Sequence, residues 1–219
     1  KLASLIVALE DGYVDITDSI DTGKGTISYH DITLEDSGER GLGKISIKKA
    51  FEYSSNVGIS QVIYNNYKGK ESDFIKGLYK LRLNQQLGLD IRGEGVPEIN
   101  TPGNSKWSGI SLPMMSIGYE VRLTPLQLLA FYNAVANNGT MVKPMLVKEI
   151  QYRGNLIKRF DTEIIESRIC SRRTIGRVHE MLCGVVENGT ATNLKDPEIM
   201  IAGKTGTAQI PDKETGYRD

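Results

Sequence analysis

The sequence opens on an apolar stretch, KLASLIVALEDG, that limits how the chain can fold more than any other feature. Leu2, Leu5, Ile6 and Leu9 recur at the spacing of one helical face, and Gly12 follows as a stop signal. This spacing predicts a helix over residues 1–10 that enters a hydrophobic core, around which the rest of the chain must pack.

Helical and strand patterns follow this segment in no regular alternation. The irregular order favours an α+β fold with a largely antiparallel sheet over a doubly wound parallel sheet. Residues 88–113 are rich in Gly, Pro, Asn and Ser and are predicted to form a long ordered loop. The other predictions are strands and turns within 13–36, a helix pair over 46–67, a helix over 72–87, a helix that starts at the capping box Thr124-Pro125-Leu126-Gln127 and ends at Gly139, a hairpin over 141–161 with its turn at Arg153-Gly154-Asn155, a helix over 172–188, and a strand over 198–210.

The composition argues against several classes of function. Lys plus Arg and Asp plus Glu each number 27, so the net charge is zero, which disfavours a broad nucleic-acid-binding face. Neither the cysteines, Cys170 and Cys183, nor the histidines, His30 and His179, have metal-ligand spacing, so we expect no metal site and no cofactor. Lone core thiols are the favoured interpretation of the cysteines, with a disulfide as the alternative.

The stretch AGKTGTAQ, residues 202–209, is the first candidate for chemistry. On a strand, side chains alternate between faces, so Thr205 and Thr207 should share one face while Lys204 lies on the other. Gly206 leaves room for a backbone or a ligand to approach. Two hydroxyls beside a cation suit a carboxylate ligand. The alternative is a plain core strand with a surface lysine.

A second candidate is Ser54-Ser55-Asn56, which interrupts an apolar helical region. Ser and Asn are poor helix-interior residues because their side chains compete for backbone hydrogen bonds. One interpretation is a turn between two helices that is capped by Ser or Asn. The other is a hydroxyl that relays a proton, together with an amide that binds substrate.

Taken together, these motifs resemble the transpeptidase domain of class B (monofunctional) penicillin-binding proteins. Lys1-Leu2-Ala3-Ser4 is similar to the sequence that follows the nucleophilic serine in that family, whose first signature is Ser-x-x-Lys. On this alignment Lys1 is the motif lysine, and the serine lies three residues upstream of the chain. The 53 positions from Lys1 to Ser54 and the 150 from Ser54 to Lys204 are similar to the family's order.

The resemblance implies a β-lactamase/transpeptidase-like fold and a serine acyltransferase that cross-links peptidoglycan stem peptides and is blocked by β-lactams. Residues 1–219 would be a partial domain that lacks the nucleophile segment and the last sheet strands, and that is therefore inactive by itself. The backbone N–H of Thr207 and that of the missing serine would form the oxyanion hole. The implied catalytic residues are Lys1, Ser54 and Lys204, and the implied substrate-binding residues are Asn56, Thr205, Gly206 and Thr207.

The implied setting is the extracytoplasmic (periplasmic) face of the bacterial cell membrane, with an N-terminal anchor outside this chain. The implied partners are stem peptides, β-lactams and a glycosyltransferase of the cell-wall synthesis complex, with no nucleic acid. Two rival functions stay open. One is a serine β-lactamase, which needs a base for deacylation. The 88–113 loop contains Glu94 and Glu98, but nothing in the sequence marks either as the residue that activates a water. The other is a non-catalytic penicillin-binding sensor or scaffold.

A further Ser-x-x-Lys match, Ser46-Ile47-Lys48-Lys49, lies only eight residues before Ser54. It follows Gly41 and Gly43, where a helix is predicted to start. We therefore interpret Ser46 as a helix N-cap and not as a nucleophile.

Overall fold

The computed structural model describes residues 1–37, 41–206, 210–212 and 216–218. Its helices are α1 (Leu2–Glu10), α2 (Ile47–Glu52), α3 (Asn56–Tyr67), α4 (Glu71–Lys80), α5 (Ser111–Ile117), α6 (Pro125–Ala136) and α7 (Arg172–Glu187). Its strands are β1 (Ser19–Asp21), β2 (Thr26–Tyr29), β3 (Ile32–Glu35), β4 (Lys44–Ser46), β5 (Glu98–Ile99), β6 (Val121–Arg122), β7 (Met141–Val142), β8 (Glu149–Tyr152), β9 (Asn155–Arg159), β10 (Ile164–Glu166), β11 (Ile210–Asp212) and β12 (Gly216–Arg218).

The strands of the described residues form antiparallel pairs, namely β1 with β4, β2 with β3, β5 with β6, β7 with β10, β8 with β9, and β11 with β12. Helices and antiparallel strands are therefore mixed without a βαβ order, and the predicted α+β class is confirmed. In the part of the chain that the structure describes, no helix is both long and apolar enough to cross a membrane.

Helix α1 lies in the centre of the core, as predicted. Leu5, Ile6 and Ala8 are completely buried, and the helix packs against α3, α4 and α7. Gly77 lets α4 approach closely, because a Cβ at that position would lie 2.2 Å from Val7 Cγ1. A helix buried on so many sides is rigid, so its first residue is held in a fixed place.

The caps of the later helices follow the sequence. The Thr124 side chain accepts a hydrogen bond from Gln127 N while the Gln127 side chain accepts one from Thr124 N, which confirms the predicted capping box of α6. Gly139 has a φ of +92° and its N–H donates to Ala134 O at 2.8 Å, which closes the helix. Helix α7 begins after the N-cap Ser171 and confirms the predicted helix over 172–188.

Two of the predicted boundaries are wrong. Helix α4 ends at Lys80 and does not continue to 87, because Arg82 adopts a φ of +62° and its guanidinium donates to Ile165 O at 3.2 Å. The predicted loop over 88–113 contains β5 and the start of α5. Pro113, which suggested a loop, lies in the first turn of α5, where no intrahelical N–H is required.

The predicted hairpin over 141–161 is only partly right. Strands β8 and β9 pair around Arg153 and Gly154, whose φ angles of +49° and +81° suit a tight hairpin turn. Met141 and Val142 instead pair with β10. Pro144 follows these two residues and lacks the N–H that a continuing ladder would need.

The strand predicted over 198–210 is wrong from Glu198 to Gly206, which the described structure leaves outside any strand ladder. Strand β11 begins only at Ile210. The segment lies instead against the last turns of α7, where Gly203 N donates to Leu182 O at 3.2 Å. The backbone of this segment is therefore hydrogen-bonded to a helix and not to the neighbouring strand that the sequence pattern suggested.

Candidate active site

Ser54 occupies the turn between α2 and α3 in a conformation that glycine normally adopts. Its N–H donates to Phe51 O at 3.0 Å, and Ser55 N donates to Ala50 O at 2.8 Å. These two bonds form a Schellman motif, in which the residue at Ser54's position is left-handed and commonly Gly. Ser54 has a φ of +57°. A non-glycine residue held in this region carries a conformational cost of about 1 kcal/mol or more.

Ser55 has the capping role that the simpler interpretation of the motif predicted. Its Oγ accepts a hydrogen bond from Gly58 N at 2.8 Å and forms the N-cap of α3. Gly58 allows the two helices to meet, because a Cβ there would lie 2.9 Å from Ala50 Cβ. The turn is therefore fixed by Ser55, and the hydroxyl of Ser54 is not needed to cap it.

Lys1 contacts Ser54 directly, although 53 positions separate them in sequence. The Lys1 Nζ donates to Ser54 Oγ at 3.0 Å and to Ser54 O at 2.8 Å. The backbone oxygen of Lys1 accepts from Leu5 N at 3.1 Å, which places this lysine on the first turn of the buried α1. Packing of α1 against α3 thus brings the first motif to the second.

The environment of Lys1 makes its neutral form accessible near neutral pH. Burial, together with the ammonium of Lys204, lowers the pKa of Lys1 from its ordinary value to about 8, while the carboxylate of Asp36 opposes the change. An amine with such a pKa can accept a proton at physiological pH. Lys204 lies near the same turn, because its Nζ is 5.7 Å from the centre of the ring of Phe51, whose backbone oxygen accepts a hydrogen bond from Ser54 N.

Lys204 is the second cation of the site. Burial lowers its pKa to about 8, and its Nζ lies 5.7 Å from the centre of the Phe51 ring. The Nζ also donates to Thr205 O at 3.1 Å and to Thr205 Oγ1 at 3.2 Å. The prediction that Lys204 and Thr205 lie on opposite faces is therefore wrong, because the segment is not a regular strand and the lysine folds back over the next residue.

The rest of the third motif is partly described. Thr205 Oγ1 lies 2.7 Å from Thr190 Oγ1, just beyond the end of α7. A Cβ built on Gly206 would meet no described atom within 4 Å, so this glycine borders open space. Thr207 lies outside the described residues.

Asn56, the remaining predicted site residue, is the first residue of α3. Its Nδ2 donates to Glu35 O at 2.7 Å, which fixes the orientation of the side chain. A carboxamide has a second N–H and a carbonyl oxygen with which to bind another group. The structure thus brings Lys1, Ser54 and Asn56 around one turn.

Comparison with known proteins decides the family. The family model described as "Penicillin binding protein transpeptidase domain" matches residues 1–219. The chain belongs to this family. The class B penicillin-binding proteins that the motifs resemble are thereby confirmed as its relatives, and the fold expected of them is confirmed by the structural matches.

Three relatives show the extent of the similarity. Penicillin-binding protein PbpB of Mycobacterium tuberculosis is 29% identical over 217 residues, which are 95% of this chain and 31% of the relative. Peptidoglycan D,D-transpeptidase FtsI of Buchnera aphidicola is 28% identical over 208 residues, which are 94% of this chain and 33% of the relative. The crystal structure of penicillin-binding protein 3 of M. tuberculosis complexed with aztreonam has a TM-score of 0.80 at 27% identity and covers 100% of this chain and 49% of that one. The chain therefore spans about a third of the length of PbpB and FtsI, and about half of the chain in the crystal structure.

Two residues beside the site of this transpeptidase-family chain were missed by the sequence prediction. Asp36 contacts Ser55 and influences Lys1, and Thr190 contacts Thr205. Both lie in irregular segments and match none of the three motifs. The sequence carries no signal for either, because their roles arise only from contacts made after folding.

The second Ser-x-x-Lys match is a helix start, as predicted. Ser46 Oγ accepts a hydrogen bond from Lys49 N at 3.1 Å and caps α2. The Nζ of Lys49, the lysine of this match, lies 5.6 Å from the centre of the Tyr53 ring. Both motif positions are thus engaged in structural contacts, which leaves the Lys1 alignment as the favoured one.

Proposed function

We propose that the complete protein is a peptidoglycan D,D-transpeptidase that cross-links stem peptides through an acyl-serine intermediate and is inhibited by β-lactams. The observation that carries the proposal is the contact of Lys1 Nζ with Ser54 Oγ at 3.0 Å. It joins a base of lowered pKa to a hydroxyl held in a strained turn, which is the pairing that serine acyl transfer requires.

In the first step, a serine three positions before Lys1 attacks the carbonyl carbon between two terminal D-alanines. Neutral Lys1 accepts the proton of that serine, the Oγ–C bond forms, and the C–N bond breaks. Ser54 passes a proton from Lys1 to the leaving amine of D-alanine, helped by the positive charge of Lys204. The products are an acyl-serine ester and free D-alanine.

The substrate is held by groups on both sides of Lys1. Asn56 binds a backbone amide of the stem peptide, while the hydroxyls of Thr205 and Thr207 bind its terminal carboxylate, with Gly206 leaving room for it. The backbone N–H of Thr207 and that of the nucleophilic serine stabilise the oxyanion.

In the second step, an amine from a neighbouring stem peptide attacks the ester. A new C–N bond forms, the Oγ–C bond breaks, and the serine hydroxyl is restored. A β-lactam acylates the same serine, since the Oγ–C bond forms as the C–N bond of the lactam ring breaks, and the resulting ester is released only slowly. The M. tuberculosis structures complexed with aztreonam and with ampicillin, at 27% and 26% identity, support this part of the proposal.

The β-lactamase alternative is less well supported by the contacts of its candidate bases. The Glu94 carboxylate accepts hydrogen bonds from the backbone N–H groups of Leu87 and Leu89, so it orders the loop. Glu98 lies in an exposed ion pair with Arg122 at 3.6 Å. The scaffold alternative is disfavoured by the Lys1 to Ser54 contact, because a scaffold has no use for a base of lowered pKa. A sensor that is acylated by penicillin would need the same base, so only the cross-linking assay separates it from a transpeptidase.

The cellular setting belongs to the same proposal. By relation to FtsI and PbpB, we place the complete protein at the extracytoplasmic face of the cell membrane with an N-terminal anchor, acting with a glycosyltransferase. We also propose that residues 1–219 form part of the catalytic domain. The nucleophile would come from a segment before Lys1, and further strands would follow, so the 219-residue chain by itself should form no adduct with a penicillin.

The proposal is tested on the full-length protein with a stem pentapeptide as donor and an amine-bearing stem peptide as acceptor. We expect release of D-alanine, a cross-linked product detected by mass spectrometry, and loss of both after treatment with a penicillin. A stable penicillin ester without any cross-linked product would favour the sensor. Rapid turnover of the penicillin would favour the β-lactamase. Either result contradicts the proposed function.

A further inference from the structure

We infer that Asp36 is a positioning residue for acyl transfer, because its carboxylate fixes the turn that carries Ser54 and supplies a negative charge that acts on Lys1. The inference rests on the proposed function and adds a residue that lies outside all three motifs. It is carried by contacts of Asp36 with two successive parts of the turn.

The first contact is with the N-cap. The Ser55 hydroxyl donates to Asp36 Oδ2 at 2.8 Å and to Oδ1 at 3.0 Å. Hydrogen bonds to an ionised acceptor are stronger than those between neutral groups. Since Ser55 directly follows the left-handed Ser54, holding the Ser55 side chain also limits where the Ser54 hydroxyl can lie.

The second contact is with the start of α3. Val57 N donates to Asp36 Oδ1 at 2.9 Å. The first turn of α3 contains no acidic residue of its own, so Asp36 is the carboxylate that the positive end of this helix attracts. The backbone of Asp36 is itself fixed, because its N–H donates to Gly25 O at 2.9 Å.

Asp36 also acts on the base through its charge. The charged groups that act on Lys1 are Lys204, from the segment after α7, and Asp36, from the end of β3. Burial and Lys204 favour the neutral amine, while Asp36 favours the ammonium. Removing the carboxylate must therefore lower the pKa of Lys1 and make the neutral base available at a lower pH.

The two roles predict different effects, which allows them to be separated. Asp36→Asn weakens the hydrogen bonds to the turn, so acylation should slow by about tenfold at pH 8. It also removes the negative charge, so the rise of the acylation rate with pH, which follows deprotonation of Lys1, should occur at lower pH. Ser55→Ala removes the hydroxyl that joins Asp36 to the turn, together with the N-cap of α3, but keeps the negative charge. Acylation should therefore slow while the pH range over which its rate rises stays the same. Asp31→Asn is the matched control, because it removes one charge from the exposed far end of the β2–β3 hairpin.

The experiment measures the second-order rate of acylation of the full-length protein by a fluorescent penicillin from about pH 5 to about pH 9. Thermal melting of each variant establishes that it is folded. The Asp31→Asn control should have the same acylation rate as the wild type, and its rate should rise with pH over the same range. If the acylation rate of Asp36→Asn rises over the same pH range as that of the wild type, the inference is overturned. A wild-type acylation rate in Ser55→Ala would overturn it as well, and this second variant provides the test if Asp36→Asn does not fold. A wild type that is never acylated would instead contradict the proposed function.

Discussion

At the scale of single residues, the main feature is a serine in a glycine position. The chain keeps Ser54 at a φ of +57° in a Schellman turn, where glycine would cost less. Ser55, the next residue, provides the N-cap of α3. Capping of the helices therefore does not explain why a serine with this conformational cost is present at position 54. The contact that does use the Ser54 side chain is the one with Lys1.

Ser54→Ala in the full-length protein should slow acylation by a penicillin by about 10²- to 10⁴-fold, the usual contribution of a group that transfers protons. Lys1 Nζ can still donate to the backbone oxygen at this position, so the fold should be retained. Ser54→Gly is the matched variant. It should be equally slow, yet its free energy of unfolding should rise by about 1 kcal/mol, because glycine tolerates a left-handed backbone. Normal acylation by either folded variant would mean that the hydroxyl has no chemical role.

The two lysines predict a pH dependence with a maximum. Burial lowers the pKa of Lys1 and that of Lys204 to about 8. The neutral, basic form of Lys1 increases as pH rises through that value, while the cationic form of Lys204 is lost over the same range. Acylation should therefore rise to a maximum near pH 8 and then fall, with apparent pKa values that belong to the pair.

Rates of acylation measured from about pH 6 to about pH 10 test this profile. Lys76→Gln is a suitable control, since Lys76 lies in an exposed ion pair with Asp73. That variant should have the wild-type profile. A rate that is constant across the range, or that falls steadily from its acidic end, would contradict the assignment of Lys1 as the base.

At the scale of elements, local signals predicted the structure where the contacts that decide it are local. The capping box at Thr124 and the cap at Ser46 each determine a helix start through residues three apart, and both predictions are confirmed. The end of α4 was missed because Arg82 responds to β10, 83 positions away. The segment around Lys204 was missed as well, because its backbone partner is a helix.

The contact between α2 and α7 is expected to depend on a glycine. Glu52 of α2 is 5% exposed, and a Cβ at Gly184 of α7 would lie within van der Waals overlap of its carboxylate. Gly184→Ala should therefore lower the free energy of unfolding by about 1–3 kcal/mol, as overpacking does. Gly176→Ala on the same helix meets no described atom within 4 Å and should raise it by about 0.5–1 kcal/mol.

Chemical denaturation of the full-length protein and both variants measures these differences in the free energy of unfolding. Both substitutions are Gly→Ala in the same helix, so their effect on helix propensity is the same. A difference in sign between the two changes in the free energy of unfolding therefore reports on packing. If both variants were stabilised equally, the close contact between Glu52 and α7 would not exist in the folded protein.

At the scale of the whole molecule, the fold brings together residues that are far apart in sequence. Packing of α1 against α3 places Lys1 on Ser54, and attachment of the last segment to α7 places Lys204 beside them. The sequence motifs predicted these three residues because each motif is a short continuous signal. Asp36 and Thr190 could not be predicted, since each acts through a contact that only the tertiary structure creates.

The central claim is that this chain supplies the base and the proton relay to a serine just upstream of Lys1. Its most direct test is peptide mapping by mass spectrometry of the folded full-length protein after incubation with a penicillin. The account predicts one penicilloyl group, located on a serine three positions before Lys1. An adduct on Ser46, on Ser54 or on any other residue of the 219, or no adduct at all, would contradict it.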